Sequence, residues 1–248
     1  MRIINHSFNS KFLGYETAIN VIIPTNNISL PPYKVLYLLH GAYGNENDWI
    51  TNTNISQLVD KYGLIVVCPR GEQSYYTNAL KGPQYESYIA IELKEFIENN
   101  YVVSKNKENN FIAGLSMGGY GALKIAFNNL DKFSTVGCFS GVVDVANVAP
   151  HRDNAVFRFD LTFGDISKLR DSKHDLFKLS SNIVNSTKPQ INTFITCGTE
   201  DHLYNDNKNF INHLHSIKYK YNYMEFPGGH DWPFWNISII KFLQFIFE

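Results

Sequence analysis

The sequence predicts an α/β fold: a mainly parallel central sheet flanked by helices. Three observations carry that expectation. Short unbroken apolar runs such as Val35-Leu36-Tyr37-Leu38-Leu39 and Leu64-Ile65-Val66-Val67-Cys68 have the composition of strands buried on both faces. Segments of helical spacing alternate with them; in 84–100, Tyr85, Ile89, Leu93, Phe96 and Ile97 recur on one face. One further run, Phe111-Ile112-Ala113, passes through Gly114-Leu115-Ser116-Met117-Gly118 into helix-forming Ala122-Leu123-Lys124-Ile125-Ala126-Phe127, a strand, a tight turn and a helix in succession.

In chain order, β-segments are expected at 2–8 and 15–23, the second ended by Pro24, then a polar turn region up to Pro31-Pro32. The strand at 35–39 ends in His40-Gly41-Ala42-Tyr43-Gly44, and a helix from Asn54 to Lys61 has Gly63 just past its end, where a left-handed cap is favoured. After the 64–68 strand comes a loop with Gly71, Tyr75, Tyr76 and Gly82-Pro83, then the 84–100 helix. The 110–115 strand and the 117–129 helix follow, then a strand from Ser134 to Phe139. Residues 142–190 are too many for a strand-to-helix connection and read as an insertion over the strand ends, with a helical stretch from Lys173 to Asn182. The sheet resumes at 192–197, a helix spans 206–217, a last strand runs from Tyr221 to Phe226, and 234–247 closes the chain as an amphipathic helix. No repeat, linker or low-complexity tract interrupts residues 1–248, which read as a single domain with 142–190 as a cap-like segment.

Composition narrows the function. The 248 residues are 44% hydrophobic and 18% charged with formal net charge -1, enough for a full core and no electrostatic case for nucleic acid or an anionic membrane as partner. No stretch is long and apolar enough to span a bilayer, and Met1 to Ser7 lacks the apolar run of a secretory signal, so a cytoplasmic location is expected. Cys68, Cys138 and Cys197 make no disulfide framework and read as small buried hydrophobes. No His, Cys and carboxylate cluster has metal spacing, so neither metal nor cofactor is expected.

The chemistry concentrates at Ser116. A serine exposed on a strained turn needs neighbours without side chains, and Gly114 and Gly118 supply them. The helix that follows directs its N-terminal N–H groups and positive dipole end at the serine. Serine becomes a nucleophile only when a base takes its proton, and the base needs an orienting carboxylate. In an open α/β sheet such groups lie beyond the carboxyl ends of strands, which selects Asp201 after the 192–197 strand and His230 after the 221–226 strand. Glu200 adjoins Asp201, but neighbouring side chains diverge. Asp206 and Asp231 read as solvated loop carboxylates, His213 and His215 as helix-surface residues, and His40 as readily structural as catalytic. Flanking glycines, the strand end and the chain order Ser116, Asp201, His230 favour His230. An oxyanion hole needs two N–H donors: Met117 follows the nucleophile, and Ala42 lies in the loop after the 35–39 strand.

These motifs resemble one family. His40-Gly41-Ala42-Tyr43-Gly44-Asn45 with Trp49, Tyr75-Tyr76-Thr77-Asn78, Gly114 to Gly121, Gly198-Thr199-Glu200-Asp201-His202-Leu203-Tyr204 and Gly229-His230-Asp231-Trp232 are similar to the esterase D / tributyrin esterase family, over about residues 1–247. That family is related to S-formylglutathione hydrolases, carbohydrate (feruloyl and acetyl-xylan) esterases and mycolyltransferases. The resemblance implies an α/β-hydrolase fold, no cofactor, a small-molecule ester substrate of short acyl chain, and frequent assembly into homo-oligomers. It carries the nucleophile to Ser116, the acid to Asp201, the base to His230 and the oxyanion donors to Ala42 and Met117. S-formylglutathione hydrolases usually have a Ser-Gly-Leu-Thr-Cys type stretch where this chain has His40 to Gly44, which favours the tributyrin or acetyl esterase branch.

The expected activity is therefore a serine carboxylesterase acting on acetyl to butyryl esters. A carbohydrate acetyl or feruloyl esterase, an S-formylglutathione hydrolase, an acyltransferase in which an alcohol replaces water, and a non-catalytic binding module remain as alternatives. Trp49, Tyr76, Tyr204 and Trp232 are candidates for the pocket walls, each equally at home as a packing aromatic.

Overall fold

The computed structural model describes residues 2–25 and 29–248. Its strands are β1 (Arg2–Asn9), β2 (Glu16–Ile23), β3 (Lys34–Leu39), β4 (Leu64–Pro69), β5 (Asn110–Leu115), β6 (Thr135–Phe139), β7 (Asn192–Gly198) and β8 (Asn222–Phe226). They form one sheet in the order β1-β2-β4-β3-β5-β6-β7-β8. β1 and β2 are antiparallel to their neighbours; β4, β3, β5, β6, β7 and β8 run parallel. The mainly parallel sheet matches the sequence expectation. Part of the polar turn expected after Pro24, residues 26–28, lies outside the described residues.

The strand assignments follow from which faces are buried. β4 and β5 are buried at every position, which is why their sequences run apolar without alternation. β1, at the edge, alternates in exposure and carries polar residues. Along β3, successive side chains point to opposite faces. Val35, Tyr37 and Leu39 join the core beneath the 85–100 and 117–128 helices, and Leu36 and Leu38 join a second core beneath the Ile55–Tyr62 and Trp232–Phe247 helices. Cys68, Cys138 and Cys197 are all buried free thiols.

Local differences have physical causes. The helical run expected at 84–100 contains a π-helical section, Tyr88–Leu93, between Tyr85–Ser87 and Lys94–Asn100. A short helix absent from the sequence reading, Asp48–Asn52, is anchored by Trp49, whose Nε1–H donates to the Leu39 carbonyl at 3.0 Å. In the 142–190 segment the longest helix starts later than expected, at Leu176, because the Asp175 side chain accepts from the Phe177 N–H and caps it. The rest of that segment is short capped turns. It is fastened by Phe157, Phe159 and Phe163, which stack on one another and against Tyr75.

The parallel strands all deliver their carboxyl ends to one edge. Gly41 to Gly44 follow β3, Ser116 follows β5, Asp201 lies three residues past β7, and His230 lies four past β8. Loops with chemistry-bearing residues therefore meet there, as expected for an open α/β sheet. Among the described residues, no helix is long and apolar enough to cross a membrane.

Candidate active site

Ser116 sits between β5 and the Met117–Asn128 helix with φ 52 and ψ -117, a left-handed backbone that an L-residue adopts at a cost. Its surroundings hold it there. The Ser116 N–H donates to the Phe139 carbonyl at 2.9 Å and its carbonyl accepts from Tyr120 N–H at 3.1 Å. The glycines on either side are a matter of clearance. A Cβ on Gly114 would lie 2.5 Å from the Gly118 carbonyl carbon, and one on Gly118 would lie 2.5 Å from the His40 carbonyl oxygen.

Three side chains from three loops meet at this turn. The Ser116 Oγ and His230 Nε2 are 2.9 Å apart, and His230 Nδ1 is 2.8 Å from Asp201 Oδ2. The other carboxylate oxygen, Oδ1, accepts from the Leu203 N–H at 2.8 Å, so the loop fixes the direction of Asp201. Burial of Asp201 would by itself raise its carboxyl pKa. The hydrogen bond and charge of His230, with the Leu203 N–H, outweigh that and hold it below the ordinary value. An ionised Asp201 fixes the tautomer: Nδ1–H donates to the carboxylate, leaving Nε2 free to accept the Ser116 proton. Glu200, exposed, takes no part.

Met117 directly follows the serine, and Ala42 lines the cavity with it. The N–H of Met117 is at the first position of its helix, where no intrahelical partner exists. Ala42 lines the same cavity as Ser116, with Gly41 close enough that a Cβ there would touch the Leu115 side chain at 2.5 Å. His40 shapes this loop from the core. Its Nε2 accepts from the Gly71 N–H at 2.8 Å, so Nδ1 carries the proton that it gives to the Gly41 carbonyl at 2.7 Å. Burial holds His40 below the usual histidine range, which keeps it in this neutral form.

The serine opens into a cavity of about 520 Å3. Ser116, His230, Leu115 and Ala42 line it, together with Trp232, Trp235, Asp231, Asp48, Tyr43, Arg152 and His202.

The family model "Esterase", described as "Putative esterase", matches residues 10–246. The chain belongs to this esterase family. It is 30% identical to the acetyl esterase of Caldicellulosiruptor saccharolyticus, over 100% of this chain and 97% of that one. Among solved structures, FphF, the fluorophosphonate-binding serine hydrolase F of Staphylococcus aureus, aligns with a TM-score of 0.93 at 30% identity, covering 100% of this chain and 98% of that one. The S-formylglutathione hydrolase FrmB from Staphylococcus aureus aligns with a TM-score of 0.90 at 29% identity, covering 100% and 99%. The fold is that of the α/β-hydrolases, and the molecule is a serine ester hydrolase.

For this esterase the expected wall residues divide. Trp232 lines the cavity. Trp49 does not: it is 1% exposed and stands behind Trp232, edge to face at 5.4 Å, because its indole N–H is used to pin the end of β3. Tyr76 does not either. It is fully buried, fills the space left by Gly71 and Gly121, and its hydroxyl donates to the His40 carbonyl at 3.2 Å. Tyr204 opens the Tyr204–Ser216 helix and points its hydroxyl at Glu225, 3.1 Å away, outside the cavity. Asp231, expected to be solvated, is exposed and also caps the last helix by accepting from the Phe234 N–H at 3.0 Å.

The sequence reading missed Trp235, Tyr43, His202 and Arg152. Trp235 was within reach, since it lies three residues after Trp232 on the same helix face and packs edge to face with His230 at 5.0 Å. Tyr43 and His202 sit inside motifs already singled out. Arg152 had no signal, because the path of the 142–190 segment is set by packing. The expectation of no metal-like cluster is also corrected: ligand-type atoms of Asp201, His202 and His230 lie within 4.8 Å of one another. The spacing arises because His202 directly follows Asp201.

Proposed function

We propose that the protein is a carboxylesterase that hydrolyses short-chain acyl esters through an acyl-enzyme on Ser116. The observation that supports this most is the continuous chain Ser116 Oγ, His230, Asp201, at 2.9 and 2.8 Å, opening into the cavity.

Each group has a role in the reaction. His230 Nε2 takes the Ser116 proton as Oγ bonds to the ester carbonyl carbon. The carbonyl oxygen becomes an oxyanion, stabilised by the N–H groups of Ala42 and Met117 and by the positive end of the Met117–Asn128 helix. Asp201 keeps the imidazole in the accepting tautomer and stabilises the imidazolium that forms. As the tetrahedral centre collapses, the C–O bond to the alcohol breaks and His230 gives its proton to the departing oxygen. Water then adds to the acyl carbon with His230 again as base, releasing the acid and restoring Ser116.

The test is Ser116→Ala together with intact-protein mass measurement during turnover of 4-nitrophenyl acetate. The parent should show a transient gain of one acetyl group that Ser116→Ala lacks, and the variant should lose up to about 10⁶ in kcat. A folded Ser116→Ala protein within about tenfold of the parent would refute the proposal.

A further inference from the structure

We infer that Arg152 makes this esterase selective for esters whose leaving alcohol carries an anionic group, a carboxylate or a phosphate. The inference rests on the esterase reading above and names the substrate class of that same site.

The cavity lining mixes two kinds of group. Trp232, Trp235, Asp48 and Asp231 supply aromatic faces and carboxylates, and Arg152, His202 and Tyr43 supply donors. Arg152 makes no ion pair among the described residues, although Arg70, Arg158 and Arg170 each do. It is nonetheless held in place. Its guanidinium lies over the Phe157 ring at 5.8 Å, and Phe157, 3% exposed, is fixed against Tyr75, Phe159 and the Tyr43 ring. A guanidinium stacked on a buried ring keeps its N–H edge available for a planar anion and loses little freedom in binding one.

The carboxylates at the site do not neutralise it. Asp48 makes no ion pair with Arg152, and burial raises its pKa. Asp231 commits Oδ1 to capping its helix. Asp201 is buried and paired with His230. The neighbour nearest in kind is His202, whose imidazole is pushed below the usual histidine range by burial and by the adjacent His230, so at neutral pH it acts as a donor without adding charge.

Exposure favours the leaving half for the anion. A short acyl group attached to Ser116 has Leu115 and Ala42 as apolar neighbours in the lining, which leaves the exposed Arg152 for the alcohol. After the first step the anionic alcohol diffuses away while the acyl group remains, so the contact serves kcat/KM for acylation.

The probes are 4-acetoxybenzoate and its neutral counterpart 4-acetoxybenzamide, with 4-acetoxyphenyl phosphate as a second anion. The readout is the ratio of kcat/KM for anionic over neutral ester, measured for the parent, Arg152→Gln and Arg152→Glu. Taking the ratio across variants cancels the intrinsic reactivity of the two esters. Arg152→Gln should lower it about fivefold, the scale of one partly exposed ion pair. Arg152→Glu should lower it further, and the parent ratio should fall as salt is raised to about 1 M. The two anionic probes distinguish a carboxylate preference from a phosphate preference. A parent that hydrolyses both esters with a ratio that Arg152→Gln leaves within about twofold overturns this inference alone. A parent that hydrolyses neither ester overturns the esterase reading with it.

Discussion

At the scale of single residues, Asp201 shows how position decides chemistry. Its carboxyl is held below the ordinary 3.8, against the pull of burial, by the hydrogen bond and charge of His230. A carboxyl depressed in the folded state contributes stability above its unfolded pKa and loses it as pH falls through the lower folded value. Asp201→Asn should therefore be less stable than the parent at neutral pH, and the gap in Tm should narrow as pH is lowered below 3.8. The same substitution should reduce kcat by about 10⁴ with KM little changed, because an amide favours the wrong imidazole tautomer. An Asp201→Asn enzyme with parental kcat, or a Tm gap that widens in acid, would contradict this account. Ser116, Asp201 and His230 were legible in the sequence because each sits at a strand end and the strand ends could be read from apolar runs. Trp49 and Tyr76 stayed open between pocket wall and core for a related reason: the sequence shows that an aromatic is near the site but not which way its ring turns. Here an indole N–H that finds the Leu39 carbonyl and two glycines that make room for Tyr76 turned both rings inward.

At the scale of elements, the sheet and its helices were readable and the 142–190 segment was not. Parallel strands buried on both faces leave a strong signal in composition. The inserted segment is short turns whose positions are decided by distant partners. Its stability comes from phenylalanines rather than from helix propensity. Phe159 is 1% exposed and lies against Phe157, Phe163 and Tyr75. Phe159→Ala should cost about 3–5 kcal/mol, the usual range for emptying a buried aromatic site. Because Phe157 supports Arg152, the loss should reach the cavity. Chemical denaturation measures the first effect. Proteolytic cleavage within 142–190, faster in Phe159→Ala than in the parent, measures the second. Unchanged cleavage and a cost under about 1 kcal/mol would mean that the segment is held by other contacts.

At the scale of the whole molecule, the question is which ester the cavity prefers. Its volume of about 520 Å3 would hold a long acyl chain, so size alone does not decide the matter. The lining does. Each methylene buried from water gains about 0.8 kcal/mol, but only against apolar surface. Trp232 and Trp235 share the lining with Asp48, Asp231, Arg152, His202 and Tyr43. The inserted segment, which in a lipase would supply an apolar lid, turns its phenylalanines inward to the core and offers the cavity only Arg152. An acyl chain therefore gains over its first few carbons, beside Leu115 and Ala42, and then meets charge or water. On a single alcohol such as 4-nitrophenol, kcat/KM should peak at acyl chains of two to four carbons and fall at eight. A steady rise to ten carbons in the parent would place the acyl chain in an apolar groove that this lining does not supply.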